Sequence, residues 1–121
     1  MNLNFRPATL TDIPVITALA HKIWHQHYPS IITVEQIDFM LGDRYSPEAI
    51  TKGMQQGEQY FLAFDGEEPV ALADIQKRES DYYLHKFYVD VSKHRAGIGT
   101  AFFEYLLQQM DNTLPIRLQV N

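Results

Sequence analysis

The sequence predicts an α+β fold in which a mixed, mostly antiparallel sheet is flanked by helices. Three observations carry that expectation. The stretch YYLHKFYVDVSKHRAGIGTAFFEYLLQQM, residues 82–110, joins an aromatic and β-branched strand to an amphipathic helix through a basic loop holding Gly97 and Gly99. Gln59 to Phe64 and Pro69 to Gln76 flank Asp65-Gly66, a dipeptide that favours a tight hairpin turn. The element order, one strand, three helical pieces, three strands, a helix and a last strand, lacks the strict alternation of a doubly wound parallel sheet.

Taken in order, Asn2 to Arg6 alternates loosely before Pro7 and reads as a short first strand. Thr9 or Thr11 then caps a helix whose apolar stripe is Ile13, Ile16, Leu19, Ala20, Ile23 and Trp24, continuing toward Tyr28. Pro14 falls in its first turn, where a missing N–H costs nothing, and Pro29 helps to end it. Thr33 to Gln36 is a capping-box pattern that opens a short helix through Leu41, with Gly42 expected to stop it. Ser46-Pro47 is a second cap with proline at the first helical position, and Gly57 marks the far end of that helix. After the hairpin, KRESD turns the chain into the strand Tyr82 to Val89. A helix follows from Ile98 through Met110, then a break at Asp111 and Asn112, then a strand over Pro115 to Val120.

Bulk properties narrow the classes. A chain of 121 residues with 45% hydrophobic residues forms a single domain, residues 1–121, whose core needs no staple. There is no cysteine, which excludes disulfides, thiolate metal sites and a cysteine nucleophile, and favours a reducing compartment. The N-terminus has no basic region followed by an apolar run, and no stretch has the length of a membrane span, so a cytoplasmic protein without membrane or nucleic-acid partners is expected. The formal charge of −5 opposes general affinity for phosphate backbones and suits a small cationic partner.

The glycine loop is the chemical centre of the sequence. The first turn of a helix offers N–H groups without intrahelical acceptors and the positive end of the helix dipole, and Lys93 and Arg95 add full charges. No Gly-Lys-Ser/Thr occurs, which excludes a Walker A loop, and Phe102 stands where a dinucleotide fingerprint would place Gly or Ala. His94, Arg95, Ala96, Gly97, Ile98 and Gly99, following a strand that ends Phe87, Tyr88, Val89, resemble the acetyl-CoA loop Q/R-x-x-G-x-G/A of the GNAT superfamily of N-acetyltransferases. One departure is His94, which stands where the family usually has Gln or Arg. The resemblance implies acetyl-CoA as co-substrate, with no metal, held by Phe87, Tyr88, Val89, His94, Arg95, Ala96, Gly97, Ile98, Gly99 and Thr100. It runs from the first strand through Val120. The family's usual ending, a further helix often carrying N-x-x-A-x-x-x-Y and two more strands, is missing from the sequence, so an incomplete, C-terminally truncated GNAT-like domain is expected. Residues Trp24 to Tyr28, IITVEQIDFML and YSPEAI are similar to the PaiA-like spermine/spermidine acetyltransferase group.

The resemblance implies direct attack of a primary amine of a small, polyamine-like acceptor on the thioester, stabilised by backbone N–H groups near Tyr88 and Val89. An alkylammonium has a pKa near ~10 and must first lose a proton. His85 stands where the family often has a carboxylate, and imidazole suits a base at neutral pH. The alternative for His85 is a partly buried strand histidine with no chemical role. Trp24 and Tyr28 could line an amine pocket by cation–π contact or simply pack in the core. His21, His25 and His27 could edge a metal site, but no third ligand with motif spacing follows, and a solvated helix face is the simpler reading. A tyrosine acid for the leaving thiolate is expected on the missing helix. A second reading is a CoA-binding module without competent chemistry, one that completes its sheet as a homodimer through the exposed strand Pro115 to Val120.

Overall fold

A computed structural model describes residues 2–27, 31–90, 92 and 97–118. A five-stranded sheet runs in the order β1 (Leu3–Pro7), β2 (Glu58–Asp65), β3 (Glu68–Lys77), β4 (Tyr82–Val89), β5 (Ile116–Leu118). The first four strands are antiparallel neighbours, and β5 pairs parallel to β4, from Tyr82 opposite Ile116 to Leu84 opposite Leu118. The expected mixed, mostly antiparallel sheet is therefore present.

Helices cover both faces. On one lie α1 (Ile13–His27), α2 (Val34–Arg44) and α3 (Pro47–Gln55), whose buried Ile16, Ile23, Trp24, Ile37, Leu41 and Ile50 meet Tyr60, Leu62 and Leu72 of the sheet. On the other lies α4 (Ile98–Gln108), which buries Ile98, Phe102 and Leu106 against Ala63, Ala71 and Ala73. Small residues on the sheet let the large α4 side chains approach closely. Each of those fully buried apolar side chains is worth ~1.5–3 kcal/mol.

The caps follow the sequence. Thr33 Oγ1 accepts from Gln36 N–H at 3.1 Å while Gln36 Oε1 accepts from Thr33 N–H at 2.9 Å, closing the capping box of α2. Ser46 Oγ accepts from Ala49 N–H at 3.1 Å at the start of α3. A 3-10 turn at Leu10–Asp12 precedes α1, and Asp12 is clamped bidentately by Arg6 at 2.7 and 2.8 Å.

Gly42 does not stop its helix. Tyr45 N–H still bonds to Leu41 C=O at 2.8 Å, and α2 ends only where Ser46, preceding Pro47, turns extended. An isolated glycine lowers helix propensity without breaking the ladder. Similarly, α4 closes at Gln108, and Met110 packs against the core from the following turn. The turn at Gly66 has a φ of 61°, as the Asp-Gly signal requires. Among the described residues no helix is long and apolar enough to cross a membrane.

Candidate active site

The site is organised by an irregularity in β4. Asp74 pairs with Lys86 and Ile75 with Leu84, so His85 is an extra residue with no partner on β3. Such a bulge re-aims the side chains that follow it. Before it, Tyr82 and Leu84 face the α4 layer; after it, Phe87 and Val89 do. Tyr88 consequently joins the core beneath α1, α2 and α3, while Lys86, His85 and Tyr83 border one cleft on that same side.

The cleft has a volume of about 690 Å³ and lies between α3, the end of α2 and strands β2 and β4. Glu58, His85 and Lys86 line it together with Arg44, Lys52, Gly53 and Arg78. His85 is held by a chain of amides. Gln76 Nε2 donates to Gln56 C=O at 3.1 Å, which turns Gln76 Oε1 toward His85 Nε2 at 2.9 Å. Because that oxygen only accepts, Nε2 carries the imidazole proton and Nδ1 keeps its lone pair. Partial burial pushes the His85 pKa below its ordinary value of 6.5, so the ring is neutral at pH 7.

Behind the cleft, Tyr60, Asp74 and Lys86 occupy one rung across three neighbouring strands. Asp74 is fully buried, and neither carboxylate oxygen receives an aligned hydrogen bond among the described residues. Lys86 Nζ stands 3.5 Å away as an ion-pair partner, donates to Tyr60 Oη, and lies 4.8 Å from the Tyr45 ring centroid. Burial pushes the Asp74 pKa up to about 8, with the adjacent Glu58 carboxyl acting in the same direction. Glu58 moves the other way, below its ordinary value, because the adjacent Asp74 carboxyl and the positive charge of Lys86 favour its ionised form. The pair thus holds one proton at neutral pH, leaving Glu58 ionised in the cleft. Glu58 also has room made for it: a Cβ on Gly53 would stand 2.7 Å from its Oε2.

At the far end of β4, Asp90 anchors the approach to the glycine loop. It is fully buried, forms an ion pair with Lys22 at 2.8 Å, and accepts from Ser92 N–H at 3.0 Å and Ser92 Oγ at 2.8 Å. Gly97 then caps α4 with a φ of 72°, a conformation open to glycine at little cost, and as a glycine it offers no side-chain cap to the helix end. Ala101 N–H is the first to reach back, to Gly97 C=O at 3.1 Å, so the N–H groups of Ile98, Gly99 and Thr100 have no acceptor within α4. A Cβ on Gly99 would meet only Val89 Cγ2, at an ordinary 3.7 Å. Nothing among the described residues therefore demands glycine at 99, and none of them fills the space a Cβ would take beside the start of α4.

The family model for the acetyltransferase (GNAT) domain matches residues 30–121. The chain belongs to the GNAT acetyltransferase family. This GNAT domain is similar to the PaiA N-acetyltransferase from Thermoplasma acidophilum, solved in complex with coenzyme A, with a TM-score of 0.88 and 18% identity over 99% of this chain and 80% of that one. An aminoglycoside acetyltransferase from an uncultured soil metagenomic sample, in complex with sisomicin, gives a TM-score of 0.72 and 16% identity over 98% and 78%. An acetyltransferase from Thermus thermophilus gives 0.65 and 19% over 92% and 71%. No curated protein sequence matches the chain.

Of the residues singled out in the sequence, His85 lies on the cleft and Gly97, Ile98, Gly99 and Thr100 form the first turn of α4 or its cap. The Ile98 side chain is core, so only its backbone is available to a ligand. Phe87 stacks on Phe102 with centroids 5.6 Å apart, and Val89 packs in the same layer. Trp24 is a correction: it is 4% exposed, packs edge-on against Tyr45, and does not border the cleft. The helical stripe that places it decides for the core. Tyr28, His94, Arg95 and Ala96 lie outside the described residues. His25 pairs with Asp38 at 3.0 Å, and no group of three potential metal ligands exists among the described residues. Sequence reasoning missed Glu58, Asp74, Lys86 and Asp90. Only Asp90 carried a local signal, as the first residue of the Asp-Val-Ser turn.

Proposed function

We propose that this domain transfers an acetyl group from acetyl-CoA to a primary amine of a small acceptor, with His85 as the base. The observation that carries the reading is the bulge residue itself: a neutral imidazole on the wall of the cleft, whose Nδ1 has no hydrogen-bond partner among the described residues, on the strand that leads to α4. Bound with its pyrophosphate at the N–H groups of Ile98, Gly99 and Thr100, acetyl-CoA would supply the activated acyl group. His85 Nδ1 takes a proton from the incoming ammonium, which turns a cation into a nucleophile, and returns that proton to water afterwards; as the C–N bond forms the thioester C–S bond breaks, and the second proton lost by the amine goes to the departing sulfur, so that CoA leaves as the thiol. Lys86, on the neighbouring position, is held back by Asp74 and Tyr60 and does not compete for that role. The start of α4 at Gly97 and the space at Gly99 that no described residue fills support the cofactor assignment, as does the coenzyme A complex of the similar PaiA protein.

The test is release of the CoA thiol on mixing the protein with acetyl-CoA and a broad panel of amines, spermidine included. Turnover with at least one amine is expected. Calorimetric binding of CoA together with silence across the panel would sink the catalytic reading.

A further inference from the structure

The walls of the cleft bear on which amine is acetylated. Five charged residues border it besides His85: Arg44, Lys52, Arg78, Lys86 and Glu58. Two of the cations are already engaged by the protein. Arg78 makes a bidentate pair at 2.7 and 2.8 Å with Asp81, a carboxylate it shares with Arg117 at 2.8 Å, and Lys86 is turned inward onto Tyr60 Oη and the buried Asp74. Arg44, the last residue of α2, and Lys52, on the exposed side of α3, have no ion-pair partner among the described residues. The charged groups of the cleft with no ion-pair partner among the described residues are then one carboxylate, Glu58, next to His85, and two cations, Arg44 and Lys52.

We infer that the acceptor is a zwitterion, carrying on one skeleton the primary amine that meets Glu58 and His85 and an anionic group, carboxylate or phosphate, that meets Arg44 and Lys52. The inference rests on the N-acetyl transfer proposed above and specifies its substrate class. Glu58 is suited to receive an ammonium because Gly53 leaves room for its carboxylate and its neighbour Asp74 holds the shared proton. From there the ammonium proton is within the same cleft as Nδ1 of His85. A polyamine would satisfy Glu58 at one end but bring its second ammonium toward Arg44 and Lys52, and like charges at such a wall lower affinity and slow encounter. The acidic net charge of the whole chain points to a cationic ligand, but recognition is set by the groups that face the ligand.

The experiment compares ω-amino acids, diamines and monoamines matched in chain length, as acceptors with saturating acetyl-CoA. The full chain is assayed as wild type, as Arg44→Glu/Lys52→Glu, and as Arg44→Gln/Lys52→Gln. Wild type is expected to favour the amino acid over the matched diamine in kcat/KM by about tenfold or more, an amount equal to ~1.4 kcal/mol. The glutamine pair should erase that ratio and the glutamate pair invert it, through KM and with CoA affinity unmoved. Wild type favouring the diamine, or a ratio indifferent to both double variants, overturns the inference. Acetyl transfer to none of the amines overturns the catalytic reading instead, and the charge preference is then read from the dissociation constants of the same ligands by NMR titration of the CoA-loaded protein.

Discussion

Lys86 Nζ lies 3.5 Å from Asp74 Oδ2, on the rung that joins β3 to β4, with the carboxylate fully buried. Because burial raises the Asp74 pKa to about 8, the folded chain holds a proton that the unfolded chain, with an ordinary value of 3.8, has lost. In that window stability falls as pH rises. The opposite shift of Glu58 lies below its ordinary 4.5 and does not reach the upper part of the window. Asp74→Asn, which cannot titrate, is expected to flatten the decline. Urea denaturation of both proteins at pH 6 and pH 9 measures it; parallel curves would contradict the shared-proton arrangement.

The proposed base, His85, should give a second pH dependence. A base works when unprotonated, and the His85 pKa is held below 6.5 by burial, so kcat/KM should rise through a limb below pH 6.5 and level off above it. His85→Gln should lose that limb and about a hundredfold or more of the rate at neutral pH. A variant that keeps the limb would assign it to another group.

The two glycines of the cradle should behave differently on replacement by alanine. Gly97, at a φ of 72°, is conformationally constrained, and Gly97→Ala should cost ~1–2 kcal/mol in thermal stability. Gly99→Ala meets only an ordinary contact and gains helix propensity, so its melting temperature should hold or rise while CoA affinity falls about tenfold or more. Calorimetry with CoA beside a melting curve separates the two effects. Unchanged affinity in Gly99→Ala would move the cofactor away from this helix end.

Gly53→Ala probes the cleft without touching the sheet. Its Cβ would meet the Glu58 carboxylate, the far end of a flexible side chain, which can swing aside. Stability should therefore stay within about 1 kcal/mol of wild type. Acceptor KM should rise, with kcat and CoA affinity little changed. An unaltered KM would show that the observed seat of Glu58 is not used by the acceptor.

The sequence by itself determined the elements and their order, because each is written in local chemistry: capping residues at Thr33 and Ser46, Asp65-Gly66 at the hairpin, alternation in the strands and the helical stripe of α4. It also located the glycine turn that opens α4, since the start of a helix at glycine is a local property. Tertiary structure decided the rest of the site. Whether His85 forms a bulge depends on the register between β3 and β4, which no spacing within β4 encodes, and that one extra residue reverses which side chains face the cleft. Glu58, Asp74 and Lys86 lie on three strands and become a charged network only across the sheet, where removal from water couples them. Trp24 went the other way, from candidate ligand contact to core, because periodicity fixes which side of a helix a residue occupies while only packing decides what covers it.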